Sequence, residues 1–155
     1  MNFETLLIDQ DKRGVVTLTL NRPEKRNALS AKMIDELTNF AVSLTSDIRI
    51  VIIQGAGSLF CAGGDLEWMN AQIKADRTTR ITAAKKLASM LKALNELPVP
   101  LIAKVHGAAY GGGVGLACVC DFVISCSNVK FGFTETRLGL IPATIGPYVV
   151  GKMGE

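Results

Sequence analysis

Metal ligands are scarce in this sequence. It holds one histidine, His106, and four cysteines, Cys61, Cys118, Cys120 and Cys126, none at Cys-x-x-Cys spacing, which excludes a zinc site of ordinary ligand spacing. The cysteines lie in apolar stretches and are expected to be buried, reduced thiols. Aromatic residues are only 6% of the chain, and the 17 Lys and Arg are scattered. The net charge of +3 therefore forms no stripe for nucleic acid and fits at most a small polyanionic ligand. No apolar run approaches the ~20 residues of a membrane span. The N-terminus, Met1-Asn2-Phe3-Glu4-Thr5, lacks a basic segment followed by an apolar one. A cytoplasmic protein without membrane or nucleic-acid partners is expected. P-loop, Gly-x-Ser-x-Gly and His-Glu-x-x-His motifs are also missing.

What is present describes one domain, 1–155, long enough to bury a core, with 48% hydrophobic and 20% charged residues. Gly14 to Leu20 alternates and is β-branched, so it reads as a strand that Asn21-Arg22-Pro23 stops. Ser30 is a natural N-cap for a helix that buries Met33, Leu37, Phe40, Ala41 and Leu44 and keeps Lys32, Glu36 and Asn39 wet. Ile50-Val51-Ile52-Ile53 then reads as a strand buried on both faces, so the sheet should be parallel. Asp65 is placed to cap a second helix carrying Leu66, Met69 and Ile73, and a longer helix runs from about Thr78 to Pro98. Strands are expected at Leu101 to Val105, Phe122 to Ser125 and near Val129 to Phe131. Strands alternating with helices indicate an α/β fold.

Three segments carry candidate chemistry where strands give way to loops. In Phe60-Cys61-Ala62-Gly63-Gly64-Asp65-Leu66, adjacent glycines allow close approach to a ligand, and the helix opening at Asp65 aims unpaired N–H groups at it. Taken alone, this segment is better accounted for by a plain glycine turn with Asp65 as N-cap, capping being so common. Gly111-Gly112-Gly113 opens another helix and either offers donors or allows tight helix packing. In Phe131-Gly132-Phe133-Thr134-Glu135-Thr136-Arg137, one carboxylate stands among apolar and glycine residues, which suits acid/base work, although Glu135 could instead pair with Arg137 on the surface. Two donor loops and one carboxyl together would make an oxyanion hole with a general acid/base.

Four stretches resemble one known family: Asn21-Arg22-Pro23 with Asn27-Ala28-Leu29; Cys61-Ala62-Gly63-Gly64-Asp65-Leu66; His106-Gly107-Ala108-Ala109-Tyr110-Gly111-Gly112-Gly113; and Phe131 through Glu135 to Leu138-Gly139-Leu140-Ile141-Pro142. In this order they resemble the crotonase (enoyl-CoA hydratase/isomerase) superfamily, bacterial methylglutaconyl-CoA hydratase-like members above all. The resemblance implies an α/β fold of the ClpP/crotonase kind, a spiral of ββα units, here truncated before the C-terminal helical region. It implies an acyl-CoA thioester substrate, with coenzyme A as part of the substrate and no separate cofactor or metal. It also implies a homo-oligomer, trimer or dimer of trimers, at full length.

Carried over by position, the thioester donors fall on Gly64 and Gly112, and the adenine and phosphate end of coenzyme A falls near Arg26, Ala28, Ala62, Asp65 and Leu66. Glu135 matches one of the family's two catalytic glutamates. The position of the other, two residues beyond the glycine triplet, holds Gly115. The resemblance thus implies an enoyl-CoA hydratase working through one Glu, with a Δ3,Δ2-enoyl-CoA isomerase as the alternative. A non-catalytic acyl-CoA-binding or RNA-binding relative is a further one. Residues Ile145 to Met153 should begin a helix whose apolar side (Ile145, Tyr148, Val149, Met153) lacks cover if the chain ends at Glu155, leaving an apolar patch that favours association. His106 reads as a structural loop residue.

Overall fold

The computed structural model describes residues 3–154, apart from the side chains of Arg137 and Leu138. The central sheet holds β1 (Leu6–Gln10), β2 (Val15–Leu20), β3 (Ile50–Gly55), β4 (Leu101–Val105) and β6 (Phe122–Ser125), in the order β1-β2-β3-β4-β6. β1 is antiparallel to β2, and the remaining pairs are parallel. A second sheet pairs β5 (Ala108–Tyr110) with β7 (Lys130–Gly132) in parallel.

Local sequence explains most of this. In β2 the alternate residues Val16, Leu18 and Leu20 are buried and their neighbours half-buried. β3 departs from the expectation of a strand buried on both faces, because Val51 and Ile53 are buried while Ile50 and Ile52 are only half covered. The half-covered side carries polar pairing, Gln54 Nε2 donating to Thr19 Oγ1 at 3.1 Å.

Helix α1 (Ala31–Val42) is capped by Ser30, whose hydroxyl accepts from Met33 N. It buries Met33, Ile34, Leu37, Phe40 and Ala41 and packs on α3 (Arg77–Asn95), which is capped by Asp76 and buries Met90, Leu91 and Leu94. Glu36, expected wet, is buried. Its carboxylate accepts from Glu4 N, Thr5 N and the Thr5 hydroxyl, fastening the chain before β1 to α1. The reason is tertiary, since no helical wheel contains those donors.

Helix α2 (Leu66–Lys74) buries none of its residues, so Leu66 and Ile73 are exposed rather than on an inward face. Helix α4 (Gly112–Cys118) is almost wholly buried. In α5 (Gly146–Met153) Tyr148 and Val149 pack against the core, and Ile145 just before it is buried, so these three have the cover the sequence reading denied them; Met153 and Val150 are exposed. β6 exposes Phe122, Val123 and Ile124 at the sheet edge. Cys61, Cys118 and Cys120 are buried free thiols, but Cys126 is exposed, contrary to expectation. No described helix is long and apolar enough to cross a membrane.

Candidate active site

Three loops converge at one end of the fold. Residues 26–29 pair with residues 62–65 as a short parallel ladder: Arg26 O accepts from Ala62 N, Leu29 N donates to Gly63 O at 2.8 Å, and Leu29 O accepts from Asp65 N. Cys61 pairs in turn with Ala109 of β5, Tyr110 N donating to Cys61 O at 3.0 Å. This stacks the first glycine loop on the second. A Cβ on Gly63 would lie 3.0 Å from Tyr110 O, and one on Gly113 would lie 2.6 Å from Cys61 O, so side chains at either position would separate the loops.

Arg26 and Asn27 both have left-handed backbone (φ 51 and 52). Asn27 holds that turn: its Oδ1 accepts from Arg22 N, and its Nδ2 donates to Ala56 O and Leu59 O. Asn27 is buried, and asparagine tolerates this conformation better than most residues.

Asp65 caps α2, its Oδ1 accepting from Glu67 N and Trp68 N, and its Oδ2 accepting from Arg22 Nη1 at 2.8 Å. Arg22 also donates to Ala28 O, tying together both loops of the ladder. Burial by itself would raise the Asp65 carboxyl, but the Arg22 hydrogen bond, the Trp68 N–H and the Arg22 charge outweigh it and hold the group below 3.8. Both Asp65 oxygens are thereby engaged within the protein.

The loops enclose a cleft of about 610 Å3. Arg26, Ala28, Ala62, Gly64, Asp65, Leu66, Gly112 and Glu135, the site residues expected from sequence, all line it. Gly112 is the first residue of α4, and among the described residues neither its N–H nor that of Gly64 has an acceptor. A Cβ on Gly112 would lie 3.8 Å from the carbonyl carbon of Gly63, which puts the Gly63–Gly64 peptide beside the start of α4.

Glu135 follows β7 at the first residue of a 3-10 turn, Glu135–Leu138. Its Oε1 lies where a Cβ on Gly111 would approach to 2.7 Å, and its Oε2 is buried without a hydrogen-bond partner among the described residues. The surface pairing of Glu135 with Arg137 lies outside the described residues. On α4, Gly115 faces Ile145 rather than open space.

Sequence reasoning assigned no role at this site to four residues of the region, Arg22, Asn27, Trp68 and Met69, although Arg22 and Asn27 lie in the stretches that carry the resemblance. Asparagine in the tight turn before Ala28 was a signal for a left-handed position. Met69 reads as an ordinary helix residue and Trp68 carries no reading of its own, yet a Cβ on Gly64 would lie 2.8 Å from Met69 Sδ and 4.0 Å from Trp68 Cζ3. Cys61, beside the first glycine loop, is no nucleophile, because burial pushes its thiol up to about 12. His106 Nε2 lies 3.0 Å from Gly57 O, a loop contact. No group of three or more His, Cys, Asp or Glu that could hold a metal ion exists among the described residues.

Comparison with known proteins gives a consistent picture. The family model described as enoyl-CoA hydratase/isomerase matches residues 10–155. A probable enoyl-CoA hydratase of Mycobacterium tuberculosis is 39% identical over 148 residues, covering 94% of this chain and 55% of that protein. The mitochondrial methylglutaconyl-CoA hydratase of Mus musculus is 36% identical over 138 residues, covering 87% of this chain and 43% of that one. The crystal structure of an enoyl-CoA hydratase from Shewanella pealeana superposes with a TM-score of 0.94 at 35% identity, covering 99% of this chain and 58% of that one. The α/β architecture is therefore the crotonase fold, in part. The chain spans about half the length of the curated relatives it matches.

Proposed function

The chain belongs to the enoyl-CoA hydratase/isomerase family, and from that membership we propose that it forms the acyl-CoA-binding part of an enoyl-CoA hydratase. The thioester oxygen accepts hydrogen bonds from Gly64 N–H and Gly112 N–H. Enolate charge develops on that oxygen during addition to the C2=C3 bond, and each fixed donor contributes roughly 3–4 kcal/mol there. Glu135 takes a proton from water as its oxygen bonds to C3, and delivers that same proton to C2. One carboxyl therefore acts as base and then as acid.

The observation that carries this reading is Glu135 itself: a carboxylate oxygen buried without partner in a cleft that also holds two unpaired backbone donors. Arg26, exposed at the cleft mouth and in no ion pair among the described residues, supplies the cation for a coenzyme A phosphate. Ala28, Ala62 and Leu66 line the same end, and Asp65 acts there by holding the loops. Coenzyme A enters as part of the substrate, and no separate cofactor is required. The name of the mouse relative supports a 3-methylglutaconyl-CoA-like acyl group. Self-association, as a trimer or a dimer of trimers, is supported by the exposed apolar edge strand β6.

A second reading, a Δ3,Δ2-enoyl-CoA isomerase, is favoured by one feature: Ile145 fills the space beside Gly115, leaving no room for another acid on that face of α4. Glu135 would then carry a proton from C4 to C2. The test is a mass-resolved assay of this chain, and of the longest protein its gene encodes, with 3-methylglutaconyl-CoA, crotonyl-CoA and a 3-enoyl-CoA. Gain of one water supports the hydratase. Rearrangement at unchanged mass makes it an isomerase, and binding without either makes it a non-catalytic relative.

A further inference from the structure

A second cavity of about 330 Å3 lies between α1, α2 and α3, walled by Ala31, Ile34, Gln72, Thr82 and Ala83. Trp68 is the one described residue that lines both this cavity and the acyl-CoA cleft. At the Gly64 position Met69 stands nearest, its Sδ 2.8 Å from a Cβ built there, with Trp68 Cζ3 at 4.0 Å, so an acyl group leaving a thioester held at Gly64 passes the Met69 thioether before it reaches the indole. Behind the indole the space is not packed as core: Gln72 Oε1 is buried there without a partner among the described residues. The helix that carries Trp68 is anchored at its start by the Asp65 cap and by Lys25 Nζ, which bonds Glu67 Oε1 at 2.7 Å, while none of its residues is buried.

We propose that Trp68 is the end wall of the acyl pocket, a specificity-determining residue that restricts the protein to short acyl groups by closing the cleft off from the second cavity. This rests on the acyl-CoA reading of the cleft. The physical basis is steric: a pocket that has no room for an added methylene discriminates against it about tenfold or more, and removing the indole joins the two spaces. A long alkyl tail would then bury its methylenes along Ile34, Ala83 and the methyl of Thr82.

The test uses two saturated thioesters, butyryl-CoA and decanoyl-CoA, titrated against the protein by calorimetry. Trp68 is the only tryptophan in the sequence, so its emission reports contact with the tail directly. In the native protein butyryl-CoA is expected to change that emission and to bind at least as tightly as decanoyl-CoA. Trp68→Ala should improve decanoyl-CoA binding about tenfold relative to butyryl-CoA, and adding Ala83→Trp, which refills the second cavity, should remove the gain. Trp68→Leu provides the same comparison with a smaller loss of packing if Trp68→Ala does not fold. Tighter decanoyl-CoA binding by the native protein, or an unchanged ratio in the variants, would overturn the inference while leaving the acyl-CoA reading intact. Binding of neither ester, with free coenzyme A also unbound, would overturn both.

Discussion

Ile145 occupies the space that a side chain on Gly115 would need. A Cβ built on Gly115 would lie 2.5 Å from Ile145 Cγ2 and 2.9 Å from Ile145 Cβ, with Leu91 Cδ2 at 3.8 Å. Both residues are buried, so neither can relax into solvent. Gly115→Ala is therefore expected to destabilise by about 2 kcal/mol, overpacking outweighing the roughly 1 kcal/mol that alanine gains in a helix. Ile145→Ala, which removes Cγ2, should recover part of that loss when combined with it, although it is itself destabilising alone. Urea unfolding of the two single variants and the double one gives the coupling, and additive effects would show that the contact carries no energy.

Glu135→Gln is expected to lower turnover about a hundredfold or more, because the amide cannot exchange the proton that the reaction moves. It keeps the size and shape of the side chain, so acyl-CoA affinity should change little. Steady-state kinetics and calorimetric titration on the same preparation separate the two effects. Unchanged turnover would eliminate both enzymatic readings.

Where pattern and packing coincide, the fold was legible in the sequence. β2 alternates and is alternately buried; Ser30 and Asp65 both cap the helices expected of them. β1 escaped notice because Leu7 and Ile8 are exposed and followed by Asp9 and Gln10, which leaves no apolar alternation. β5 escaped because Ala108-Ala109-Tyr110 sits between glycines and looks like part of a turn. The two glycine loops of the site were visible, one as a glycine pair before the capping Asp65 and the other as the triplet Gly111-Gly112-Gly113. The contacts that complete them were not, since Gly115 with Ile145 and Glu36 with Thr5 join residues distant in sequence. No periodicity encodes such pairs.

The exposed thiol gives a direct check on the arrangement of the fold. Iodoacetamide should modify Cys126 in the native protein and leave Cys61, Cys118 and Cys120 untouched. Burial pushes Cys120 up to about 12 despite the nearby Lys152, so accessibility and ionisation both protect it. Intact-mass analysis should show a single adduct, without loss of acyl-CoA binding, because Cys126 does not line the cleft. Rapid modification of Cys61 would contradict the stacking of its loop on β5.

Acid should weaken the protein through two buried carboxylates. Burial acting alone would raise both groups. In Glu36 it is outweighed by the Thr5 hydroxyl, the Glu4 and Thr5 N–H groups and the Lys32 charge, and in Asp65 by Arg22 and the α2 amides. Both therefore titrate below their ordinary values of 4.5 and 3.8. A group depressed in the folded state binds fewer protons there than in the unfolded chain. Its stabilisation is thus complete above the ordinary value and disappears as pH falls through the folded one. Glu36→Gln should cost about 3 kcal/mol near neutral pH, since its donors lose a charged acceptor, and Asp65→Asn about 2 kcal/mol through the weakened cap and the Arg22 left unpaired. Each deficit should shrink as the pH is lowered below the ordinary carboxylate range, where the native carboxyls also become neutral. Urea unfolding across that range measures it. A deficit independent of pH would show that shape rather than charge is what these two side chains contribute.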